Sequence, residues 1–110
     1  MGERDRPEPI LSEFADDPTL DGRIDAFVVG LAERNDLIQD ADGQGDLKQA
    51  GVLAANLVLE AAALGFPPLA DAARAVQGAC AAEDPERVHA CVVELTQVVQ
   101  RVRLGYRGAS

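Results

Sequence analysis

Leu47, Ala50, Ala54, Leu57, Ala61 and Leu64 recur at alternating steps of three and four residues. On an α-helix these positions stack into one seam, whereas on a strand they would scatter over both faces. The spacing therefore commits the middle of the chain to a helix packed along one side. Asp46 stands where an N-cap belongs, and Gly65 where a terminating glycine belongs. The same helix has no clear polar side. Between residues 54 and 66 only Asn56 and Glu60 interrupt the apolar run, one turn apart. A helix held by one seam should give about half its circumference to water. A second apolar stripe is left needing a partner.

The same punctuation recurs on either side. Asp17 and Pro18 are suited to open a helix, with Asp17 capping the first turn. Leu20, Ile24, Phe27, Val28 and Leu31 follow at helical spacing, continuing more weakly through Leu37 and Ile38. The segment "DADGQGD", residues 40 to 46, stops that run with two glycines and three acids. Phe66, Leu69, Ala73, Val76 and Cys80 form a third apolar line. Asp84, Pro85 and Glu86 open a fourth helix, whose stripe is Val88, Cys91, Val92, Leu95, Val98, Val99 and Val102. Arg101, Arg103 and Arg107 lie near its C-terminal end, where cations suit the helix dipole. Ile10, Leu11 and Phe14 predict a short leading helix. No strand alternation and no internal repeat is present. The predicted fold is all-α: an antiparallel up-and-down four-helix bundle with a short additional N-terminal helix. The expected layout is a flexible tail over residues 1–9, the bundle over 10–104 and a C-terminal tail over 105–110.

The remaining composition narrows the function classes. Aromatic residues are 4% of the chain and Trp is absent, so Ala, Leu and Val must build the core. A formal charge of −9 repels nucleic acid and anionic membrane alike. No run approaches the ~18 to 20 continuous apolar residues of a membrane span. The opening "MGERDRPEPI" has no apolar signal core, which points to the cytoplasm. Cys80 and Cys91 are expected to be free thiols. His89, the one histidine, lies beside the last apolar stripe and is expected to be a partly exposed bundle residue. Gly43 and Gly45 precede a helix but lack the strand and third glycine of a phosphate loop. No nucleophile–base pair and no metal-ligand spacing is found. The expectation is a protein that is not an enzyme and needs neither cofactor nor metal.

Four pieces in order carry a family likeness: "DPTLDGRIDAF", "GDLKQAGVLAANL", "LGFPPLADAARAV" and "EDPERVHACVVEL". Together they resemble the histidine-containing phosphotransfer (HPt) domain of bacterial two-component phosphorelays, over roughly residues 10 to 104. In that family the second long helix carries the phosphorylated histidine in a motif His-x-Leu-Lys-Gly, followed by Leu-Gly at the helix end. Anchored on Leu64 and Gly65, the resemblance puts Ala55 at the histidine position, Val58 at the lysine and Leu59 at the glycine. Leu57 and Ala61 match the motif's buried positions. The resemblance thus implies a degenerate member, with the packing half of the motif kept and the chemical half absent.

On this helix Val52, Ala55, Val58, Leu59 and Ala62 are predicted to form an outward apolar stripe and to bind a protein partner. Three occupants are open: the leading helix folding over it, a second copy, or another protein. The resemblance implies an adaptor or regulator that binds a receiver domain or a histidine kinase without accepting phosphate. The alternative is a structural homodimerisation module with no phosphorelay partner.

Overall fold

A computed structural model describes residues 8–107. Four helices make up most of it: α1 (Asp21–Gly43), α2 (Leu47–Ala63), α3 (Pro67–Ala81) and α4 (Pro85–Arg107). Three residues join each helix to the next. Each helix packs on two others: α1 on α2 and α4, and α3 on α2 and α4. The ring encloses one core. Among the described residues there is no strand.

The helix boundaries follow local chemistry. The Asp46 carboxylate accepts the backbone N–H of Gln49 at 3.1 Å, and Asp84 accepts that of Arg87 at 3.2 Å, so both cap as their positions predict. Gly65 ends α2 with φ +82°, a left-handed conformation in which a side chain is strained. A Cβ there would also lie 2.8 Å from Phe14 and from Ser12 Oγ. The start of α1 falls one turn later than predicted. Asp17 does take the N–H and hydroxyl of Thr19, at 2.9 and 2.6 Å, but these bonds close a turn over Pro18–Leu20. The helix proper begins at Asp21.

The predicted seams form the core. Leu57, Leu69, Val76, Val88, Leu95 and Val102 are fully buried, as are Leu31 and Ile38 of α1. At one end the scarce aromatics gather: Phe66 stacks on Phe27 at 5.8 Å between ring centroids and meets Tyr106 edge-on at 6.1 Å. Such pairs add roughly 0.5 to 1.5 kcal/mol beyond the area they bury.

The leading helix is not formed. Residues 8–20 run as a strap of coil and turns. Its first half gives backbone donors to the bundle, while Ala15, Asp17 and Leu20 close local turns on the Ser12, Phe14 and Asp17 carbonyls. Ile10 N–H reaches the Arg101 carbonyl at 3.0 Å, Glu13 N–H the Gly65 carbonyl at 2.8 Å, and Ser12 N–H the Tyr106 hydroxyl at 3.2 Å. The buried Ser12 hydroxyl donates to the Leu64 carbonyl and accepts the N–H of Phe14. Pro9 has no donor, and Pro18 disfavours helical geometry at Asp17. At the other end α4 continues through Gly105 and Tyr106 to Arg107, past the predicted boundary at 104. The rest of the two expected tails, residues 1–7 and 108–110, lies outside the described residues.

Candidate functional site

The second stripe of α2 is the feature that the core leaves unused. Leu59 is 70% exposed and Val52 51%, the two exposed large apolar residues of this helix. Ala62 is exposed beside them and Ala55 is half-buried. These four positions are separated by three or four residues and span about 15 Å of helix at 1.5 Å per residue. They make a ridge.

Val58 does not belong to it. Three residues past Ala55, it is turned about 60° round the helix, to the side of Gly51. That side faces α3: a Cβ on Gly51 would lie 3.3 Å from the Cys80 Cβ. Val58 is accordingly buried, at 9% exposure. A stripe drawn only from steps of three and four includes Val58, because such steps drift around the helix when they run the same way.

A groove lies on each side of the ridge. Between α1 and α2 a cleft of about 620 Å³ is lined by Phe27, Gly30, Arg34, Leu59 and Ala63. Arg34 crosses it, 2.7 Å from the Glu60 carboxylate and 5.7 Å above the Phe27 ring. Between α2 and α3 a shallower groove of about 310 Å³ is lined by Gly51, Val52, Ala55 and Gln77. The strap, one of the three expected occupants, does not cover the ridge. It closes the end of the bundle at Gly65 and Gly105 and leaves Leu59 and Val52 open.

The face offers contact area and little reactive chemistry. Its polar neighbours include the paired Arg34 and Glu60, Arg23, Lys48 and Gln77 in the flanking grooves, and Asn56 on the exposed side of α2. No group of three or more His, Cys, Asp or Glu side chains able to hold a metal ion occurs among the described residues. No helix among them is long and apolar enough to cross a membrane.

His89 sits elsewhere, on α4, and has a partner that spacing along the chain does not reveal. Its Nδ1 lies 2.8 Å from Asp42 Oδ2 at the end of α1, 47 residues away in sequence. Cys80 and Cys91 are both free. Burial, then the negative charge of Asp42, then Cys91, push the Cys80 thiol above its ordinary pKa.

Compared with models of known families, with characterised proteins and with solved structures, the chain matches none of them.

Proposed function

We propose that this protein is a degenerate HPt-like adaptor. It grips a receiver domain or a histidine kinase of a two-component system through the outward ridge of α2, and it accepts no phosphate. The reading takes the bundle as antiparallel and up-and-down, because three-residue connections between helices that pack as neighbours turn the chain straight back.

One observation carries the proposal. The outward ridge, where the resemblance puts a phosphoacceptor histidine, holds Ala55 between exposed Val52 and Leu59. Ala55 has no nucleophilic nitrogen, and Val58, at the position of the family's lysine, is buried in the α2–α3 contact. A branched side chain at Leu59 stands where the family has a glycine. Phosphoryl chemistry is thereby replaced with apolar contact area. Burying Val and Leu side chains contributes roughly 1.5 to 3 kcal/mol each, before the cost of association.

Incubation with a phosphorylated receiver domain should leave no acid-labile phosphate on this chain. Its appearance would overturn the reading. A stable dimer in light scattering that dissociates on Leu59→Glu, with no receiver-domain binding, would instead assign the ridge to self-association.

A further inference from the structure

A row of polar groups bridges α1 and α4. Asn35 Nδ2 donates to Thr96 Oγ1 at 3.1 Å, and Gln39 Nε2 donates to the same oxygen at 2.9 Å. The Thr96 hydroxyl can send its own proton back to the Val92 carbonyl, 3.0 Å away. Further toward the start of α4, His89 Nδ1 meets Asp42. An ionised carboxylate only accepts, so Nδ1 carries the proton. In the neutral ring Nε2 is then a bare acceptor. The His89 side chain is 72% exposed while that of Asp42 is only 11% exposed.

Above this seam lies a groove of about 560 Å³, lined by Asp42, His89, Val93, Thr96, Gln97 and Gln100 among others. Among the described residues no Lys or Arg lines it. From His89 to Gln100 it follows α4 for about 16 Å at 1.5 Å per residue. Acceptors stand along it: the shielded carboxylate, the imidazole Nε2 and the amide oxygens of Gln97 and Gln100. Val93, 45% exposed, supplies an apolar wall between them.

We propose that this groove binds an alkylammonium group on an extended aliphatic stem. Two sources share that chemistry: a free linear polyamine, and a lysine side chain presented by a peptide. The ammonium has only donors to give, and the Asp42 carboxylate, Nε2 of the neutral His89 ring and the Gln97 and Gln100 amide oxygens can accept. An anion would meet the Asp42 carboxylate with no Lys or Arg in the lining to offset it. Asp42 is shielded from solvent, so its attraction for a cation is screened less than that of a surface acid. The methylenes of the stem lie against Val93. A net charge of −9 raises the local concentration of any cation, while the acceptor row selects where it rests.

The test is a titration of the full chain with spermidine and, separately, with a short lysine-containing peptide. Backbone amide and imidazole NMR signals report the site. The expected result is saturable shifts centred on His89, Gln97 and Gln100. Saturation by spermidine alone assigns a free amine, by the peptide alone a partner's lysine, and by both the shared group. Asp42→Asn keeps an acceptor for His89 but removes the charge, and should weaken binding about tenfold or more. Asp25→Asn, exposed near the far end of α1, should leave binding unchanged. Gln97→Lys puts a cation into the groove from an exposed position and should abolish binding even if Asp42→Asn fails to fold. Shifts that spread over the acidic surface without saturating would overturn the proposal. So would equal weakening by Asp42→Asn and Asp25→Asn, full binding to Gln97→Lys, or no saturable binding of either probe.

Discussion

Glu83 sits in the three-residue link between α3 and α4 with φ +55°, the one described residue other than glycine in the left-handed region. A side chain there costs about 1 kcal/mol. Glu83→Gly should therefore raise the unfolding free energy by about that amount, read from denaturant midpoints. Asp17 is stabilised in its ionised form, first by the Thr19 hydroxyl and then by the Thr19 backbone N–H, and its pKa is lowered. The folded state thus binds this proton more weakly than the unfolded chain does. The resulting stabilisation is present above the ordinary aspartate range and is lost as pH falls through the lowered value. Thr19→Val should move the Asp17 titration upward in an NMR pH series. Cys80 shifts the other way, because burial disfavours its thiolate. Its contribution to stability is full below the pKa of the unfolded thiol and is lost as pH rises toward the folded value. Alkylation should accordingly label the half-buried Cys91 before the buried Cys80. Reversal of that order would show that α3 and α4 separate more readily at Cys80 than their packing implies.

At the scale of elements, what can be read from sequence is what is local. Asp46, Gly65 and Asp84 mark helix ends through bonds that close within a few residues, and all three act as their positions predict. The seams are legible for the same reason: the helical period of 3.6 residues projects them onto one line. Leu57, at the centre of the α2 seam, is fully buried, and Leu57→Ala should cost about 2 to 5 kcal/mol in chemical denaturation. The strap was not legible as a strap. Ile10, Leu11 and Phe14 fit a helix turn by spacing. The bonds that tie the segment to the bundle go to Arg101, Gly65 and Tyr106, far along the chain. Ser12→Ala leaves a buried carbonyl without its donor and should cost about 1 to 3 kcal/mol, mainly by loosening the strap. Hydrogen exchange at Glu13 should rise first. Val58 and the Asp42–His89 pair escaped for related reasons. One depends on how closely Gly51 lets α3 approach, the other on two residues that meet only when α1 and α4 pack.

For the molecule as a whole, the four-helix ring satisfies its own core and leaves one helix with a second apolar face. The predicted site divides along that line. Val52, Leu59 and Ala62 are open and Ala55 is half-buried among them, while Val58 is buried in the fold. The strap shields the bundle's end and leaves the ridge free. On the proposed function this ridge is the docking face for a two-component partner. The most direct measurement is affinity capture from a lysate, comparing the wild-type chain with Leu59→Glu and with Leu37→Glu, a control on the exposed side of α1. Capture of proteins bearing a receiver or kinase domain, lost with Leu59→Glu and kept with Leu37→Glu, is the predicted result. Capture of no such protein, or the same set captured with Leu59→Glu, would contradict it.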